Sequence, residues 1–147
     1  MTSATLSKFG YPSNLVGQTE HWAVLLRPEQ PTLGSLVLIC LEPVTAFGAA
    51  SPAAFAGLAT VVARIEAMLG GFVQYEKINY LMLMMVDPDV HFHVIPLYAG
   101  SRSQAGVTVE DHGWPAAPAL GQAVTPDAVQ QARLVAALRA LWDGQPS

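Results

Sequence analysis

Residues 87–97 read DPDVHFHVIPL, and the alternation inside this stretch decides how the chain folds. Successive side chains of a β-strand point to opposite faces, so residues i, i+2 and i+4 line one side, roughly 6.5–7 Å apart between neighbours. Asp89, His91 and His93 therefore share one face, and Val90, Phe92 and Val94 take the other. The β-branched and aromatic residues of the second set suit a packed sheet surface. The stretch is apolar on one side and ionisable on the other.

Working outward, the turn VDPD (86–89) joins this strand to the preceding run, VQYEKINYLMLMMV (73–86), which is predicted as a long antiparallel neighbour. Upstream, WAVLLR (22–27) reads as a short strand closed by the breakers of PEQPTLGS, and SLVLICLE (35–42) as its hairpin partner, covered on both faces. Ser51 and Pro52 form a cap-then-proline helix start. Phe55, Leu58, Ala59, Val62, Ile65 and Leu69 then recur at spacings of three and four, and Gly70-Gly71 is expected to end the helix. From Tyr98 to Val124 the chain is rich in Gly, Pro and Ala and reads as irregular. Thr125-Pro126 repeats the helix-start signal ahead of the apolar set Val129, Leu134, Val135, Leu138, Leu141 and Trp142. The expected fold class is α+β: a mainly antiparallel sheet with packed helices. Residues 1–147 are expected to form a single domain, its core at about 22–98, followed by an irregular tail and C-terminal helix over 99–147.

Composition narrows the function. A hydrophobic fraction of 52% beside 12% charged residues leaves little room for disorder and hints at a buried subunit interface. A net charge of −4 with seven Lys and Arg argues against a nucleic-acid partner. No apolar run is expected to reach the ~18 residues of a membrane helix, and MTSATLSKFGYPS lacks a signal-peptide core. No membrane partner is expected, and the expected location is cytoplasmic. The lone Cys40 agrees with a reducing compartment and reads as core. Of the basic residues, Arg64, Arg133 and Arg139 fall in helices and Lys8 in the N-terminal segment, leaving Arg27, Lys77 and Arg102 to meet an anionic ligand.

His91-Phe-His93-Val-Ile-Pro, after a long apolar strand, resembles the histidine triad (HIT) family, whose signature is His-x-His-x-His followed by two apolar residues. The resemblance runs from about Trp22 to Tyr98 in the order hairpin, helix, long strand, histidine strand. Leu33-Gly34-Ser35-Leu-Val-Leu is similar to the family's Pro-Gly-His-Val-Leu segment. The likeness implies a homodimer with a shared sheet, nucleotide-sized pockets, and attack of an imidazole on an α-phosphorus. His91 matches the middle histidine of the triad and His93 the last. Asp89 stands where the family has its first histidine, Met84-Met85-Val86-Asp87-Pro88 replaces the Gly-rich phosphate segment, and Leu97 stands where some members carry a basic residue. Lys77-Ile78-Asn79 and Trp114-Pro115 resemble features of a divergent bacterial branch.

A nucleophilic histidine needs one unprotonated ring nitrogen facing the electrophile and the other held as a donor to a fixed acceptor. In this scheme His91 attacks phosphorus, His93 contacts a phosphoryl oxygen, and water or another acceptor resolves the phosphoramidate. Asp89 either orients one of the histidines or is a solvated turn carboxylate. A carboxylate ~6 Å from a phosphate charge costs on the order of 2–3 kcal/mol at an effective dielectric near 20, so either a cationic histidine bonded to Asp89 partly neutralises it or the ligand carries no phosphate there, and a cation reaching the site could offset the repulsion. Arg102 in the GSRS segment is the expected one, with Arg27 and Lys77 as further candidates. Asn79 and Ser35 are further candidate ligand contacts, each with an internal hydrogen bond or strand-start cap as its alternative. Trp114 closes the pocket mouth or anchors a loop, and His21 and His112 lie outside the reacting centre.

The expected function is a nucleotide-phosphate hydrolase or nucleotidyl transferase working through a nucleotidyl-histidine intermediate, with no cofactor and no metal. Two competing readings are a non-catalytic nucleotide or small-ligand binding module, and a repurposed or metal-assisted enzyme using Asp89, His91 and His93.

Overall fold

Two apolar runs, WAVLL and LVLIC, make the centre of the molecule, because every residue in both is buried. The computed structural model describes residues 4–146. The run of elements is α1 (Ala4–Lys8), β1 (Leu15–Gln18), β2 (Trp22–Leu26), β3 (Leu36–Cys40), α2 (Pro52–Val73), β4 (Lys77–Leu81), β5 (His91–Leu97), β6 (Ser101–Gln104), β7 (Val107–Glu110) and α3 (Ala128–Asp143). The first five strands form an antiparallel sheet in the order β1-β2-β3-β5-β4, and β6 and β7 pair as a separate hairpin. The α+β architecture expected from the sequence is the one observed.

Register assigns the faces. Val37 lies opposite His93 and Ile39 opposite His91, while Ala23 and Leu25 of β2 lie opposite Ile39 and Val37. Directly opposed residues of an antiparallel pair share a face. The histidines therefore stand on the face carrying Ala23, Leu25, Val37 and Ile39, over which Leu6 and Phe9 of the N-terminal segment pack. The opposite face, with Trp22, Val24, Leu26, Leu36 and Leu38, is covered by α2 and α3 through Val61, Ile65, Leu69, Leu134 and Leu138. By length and composition α2 is long and apolar enough to cross a membrane, contrary to the expectation that no run reaches that length, as a core helix of a soluble fold also is. Its apolar stripe is the one packed on the sheet.

Several boundaries differ from the sequence reading. Ser51 caps α2 as expected, its hydroxyl accepting from the Ala54 N–H at 3.1 Å. The helix then runs past Gly70-Gly71 to Val73, because Phe72 and Val73 bury their side chains and outweigh a cost of about 1 kcal/mol per glycine. The strand expected over 73–86 is accordingly reduced to Lys77–Leu81. Its far end stops where Met84 adopts a left-handed conformation (φ 51), so 82–90 is a loop with Met85 and Val86 exposed. The stretch after Tyr98 is not wholly irregular. SRSQ-AG-VTVE forms the β6–β7 hairpin, turning through Ala105 and Gly106 at φ 52 and 79. The cap of α3 is Asp127 and not Thr125: Asp127 and Gln130 exchange hydrogen bonds in a capping box.

Candidate active site

A single loop and the ends of three other segments enclose a cavity of about 420 Å³ next to the histidine strand. It is lined by Lys8 and Phe9 from the N-terminus, Arg27, Pro28 and Glu29 after β2, Leu83 to Asp87 from the β4–β5 loop, and His91 and His93. Its size is that of a small-molecule site. The two imidazoles stand 5.3 Å apart, centroid to centroid, at 81° to one another. Phe9 lies 6.3 Å from His91 and 5.9 Å from His93, edge-on to the latter.

Hydrogen bonding sets the proton on each ring. His91 Nδ1 is 2.6 Å from the main-chain carbonyl oxygen of Asp89. A carbonyl only accepts, so Nδ1 carries the proton and Nε2 is left with its lone pair. His91 is 2% exposed, yet its ring borders the cavity. His93 has the opposite arrangement. Arg27 Nε donates to its Nδ1 at 3.3 Å, so the proton of a neutral His93 sits on Nε2. Burial, the Arg27 guanidinium and His91 push the His93 pKa down to about 4, with Asp87 opposing them. At neutral pH His93 is therefore an uncharged N–H donor beside a basic His91 nitrogen.

Asp89 does not occupy the place expected for it. Strand pairing begins only at His91, so the i, i+2 alternation does not extend back to position 89. Its main-chain carbonyl reaches the His91 ring, while its carboxylate is outside the cavity lining and is felt by Cys40 on the other face of the sheet. The acidic group in the cavity is Asp87, two residues earlier, held by Lys8 Nζ at 3.0 Å. Among the described residues no group of three His, Cys, Asp or Glu side chains has metal-site geometry, so the proposed set of Asp89, His91 and His93 is not assembled.

Of the candidate ligand contacts, Arg27 is in the lining, held by His93 and by the Glu29 carbonyl at 2.9 Å from Nη1. Arg102 is not. Its guanidinium donates to the carbonyls of Val73, Ala99 and Ser101 and lies over the Tyr98 ring at 4.6 Å, so it braces the β6–β7 hairpin against the end of α2. Lys77 is exposed and pairs with Leu97, roughly 20 Å along β5 from His91. Ser35 is buried and donates to the Thr32 carbonyl at 2.7 Å, as a strand-start cap does. Asn79 shares the face of His93 and Ile95 on half-buried β4 but does not line the cavity. Trp114, His21 and His112 are likewise absent from the lining. Lys8, Phe9, Pro28, Glu29, Leu83 and Asp87 line the cavity without having been expected there. Only Asp87 carried a local signal, its place in the turn before the histidines.

No protein-family model matches the chain, and no curated protein matches it. Solved structures do. A histidine triad protein from Bradyrhizobium japonicum superposes with a TM-score of 0.72 at 20% identity, over 95% of this chain and 96% of that one. One from Sinorhizobium meliloti gives 0.73 at 19%, over 95% of both chains. A third, from Marinobacter aquaeolei, gives 0.70 at 18%, over 97% and 96%. The fold expected from the resemblance is thus the one observed.

Proposed function

We propose that this histidine-triad fold supports phosphoryl chemistry on a nucleotide-like substrate: transfer of a nucleotidyl group to His91 and then to water or another acceptor. The observation that carries the reading is the hydrogen bond from His91 Nδ1 to the Asp89 carbonyl, because it leaves Nε2 basic at a cavity wall without a separate general base. In the forward step the Nε2 lone pair forms a bond to the α-phosphorus as the bond to the leaving group breaks. His93, with its proton on Nε2, donates to a phosphoryl oxygen or to the departing group. Arg27 supplies positive charge where the transition state gathers negative charge. The cavity suits one mononucleotide-sized group. The missing first histidine is compatible with this scheme, since the main chain at position 89 performs the orienting step whatever its side chain.

A non-catalytic binding module is the second reading. It is favoured by the Met84-Met85-Val86 wall, which brings no side-chain donor to a phosphate. Incubation with adenosine phosphoramidate or a dinucleoside polyphosphate, followed by intact-protein mass measurement, separates the two. A nucleotidyl increment on the wild type that is lost in His91→Ala supports transfer. Binding without increment or turnover supports the module.

The same reading treats residues 1–147 as one working unit, cytoplasmic and dimeric. Strand β4 is an edge of the sheet, and a second copy pairing there would continue it.

A further inference from the structure

The cavity has one cation whose engagement is reversible by design of its surroundings. Arg27 already donates to His93 and to the Glu29 carbonyl, and its departure would release the His93 tautomer. Lys8 has no such duty. Its ammonium, on a half-exposed side chain, meets one hydrogen-bond acceptor among the described residues, Asp87 Oδ2 at 3.0 Å, and lies 5.5 Å from the Phe9 ring that abuts both histidines. Asp87 is the more enclosed partner, with its side chain 13% exposed against 49% for Lys8. The wall beside it, Leu83 to Val86, brings only apolar side chains. A phosphoryl group entering the cavity thus meets a carboxylate and a hydrocarbon wall on that side unless Lys8 turns to it.

The geometry points to Lys8 as the phosphoryl-binding cation of this site, with Asp87 as the counter-ion that holds it until an anionic substrate takes it over. This assignment rests on the phosphoryl reading given above. An ammonium carries three donors on a flexible stem, so it can bridge the carboxylate and a non-bridging phosphoryl oxygen or pass from one to the other. A phosphoryl group bearing up to two negative charges attracts it more strongly than one carboxylate at the same distance. The electrostatic reach of the pair into the reacting centre is already visible, because Asp87 and Lys8 act on the His93 pKa in opposite directions. The substrate class this favours is a mononucleotide-sized compound whose phosphoryl sits between Lys8 and the histidines.

The test is a set of binding titrations with inorganic phosphate and the four common nucleoside 5′-monophosphates. The proteins compared are wild type, Lys8→Met, Lys8→Arg, Asp87→Asn and the Lys8→Met/Asp87→Asn double variant. Lys8→Met is expected to weaken phosphoryl binding about 10-fold, while Asp87→Asn, by removing the competitor, tightens it about 3-fold. Lys8→Arg stays within about 3-fold of wild type, and the double variant binds more tightly than Lys8→Met, since the uncompensated carboxylate is gone, and more weakly than Asp87→Asn. If Lys8→Met and Asp87→Asn move binding in the same direction, the pair is only a latch holding the cavity wall and the assignment fails. It also fails if neither has an effect while the His91 adduct still forms, which leaves the catalytic reading standing. Binding of none of the probes by the wild type also overturns the assignment, and the presence or absence of the His91 adduct then decides the catalytic reading by itself.

Discussion

Arg27 and His93 are joined by a 3.3 Å hydrogen bond in which the guanidinium Nε donates to the imidazole Nδ1. The bond ties the end of β2 to the middle of β5 across the intervening β3. It does two things at once. It fixes the His93 proton on Nε2, and it places a positive charge beside a ring that must then stay neutral.

Replacing Arg27 by methionine is therefore expected to act through His93 as well as through lost positive charge. With no donor on Nδ1, His93 samples both neutral tautomers and its pKa rises, because one of the groups depressing it is gone. The rate of His91 adduct formation should fall about 10- to 100-fold, at or below the cost of losing one donor to the transition state. Nitrogen chemical shifts of the His93 ring, measured by NMR, should show the mixed tautomer in the variant and a single one in wild type.

The depressed His93 pKa also makes stability depend on pH. The unfolded residue titrates near 6.5 and the folded one at about 4, so between those values the unfolded chain binds the extra proton. The sign follows: this residue's contribution is complete above about pH 6.5 and is lost progressively as the pH falls toward 4. Urea midpoints compared at about pH 7.5 and pH 4.5 should drop less in His93→Gln than in wild type. Equal drops in the two proteins would show that the ring carries no such linkage.

Packing of the C-terminal helix on the sheet offers a test of the fold away from the site. A Cβ built on Gly17 of β1 overlaps the indole of Trp142, which is itself clamped by the Arg64 guanidinium 3.9 Å above its ring. Gly17→Ala should cost about 1–3 kcal/mol, as overpacking does. The melting temperature should fall by roughly 3–10 °C. Gly121→Ala is the control, since nothing lies within 4 Å of its added carbon.

Much of the architecture was legible because it depends on local periodicity. The all-apolar β2 and β3, the Ser51 cap and the alternation of His91, Phe92 and His93 specify their elements without help from distant residues. The errors fall where tertiary contacts decide. Helix α2 outlasts its glycines because Phe72 and Val73 find a core, and Arg102 is drawn to the end of α2 by carbonyls that no motif announces. Two misses did carry a signal: the Asp127-x-x-Gln130 box, and the alternation of Val107, Thr108, Val109 and Glu110 after an Ala-Gly turn. Lys8 and Phe9 carried none, since their place over the histidines is a contact between residues more than 80 apart in sequence.

The exchange of Asp87 for Asp89 as the carboxylate of the site gives the last prediction. Alternation holds only while a strand is paired, and β5 pairs from His91 onward, so position 89 offers its carbonyl and not its side chain. Asp89→Ala is expected to change the rate of nucleotidyl adduct formation by no more than about threefold, less than 1 kcal/mol of barrier. His91→Ala should abolish the adduct. Intact-protein mass spectra over a time course read both. A loss with Asp89→Ala as deep as that with His91→Ala would mean that the carboxylate itself takes part, and that the backbone carbonyl alone does not prepare His91 for attack.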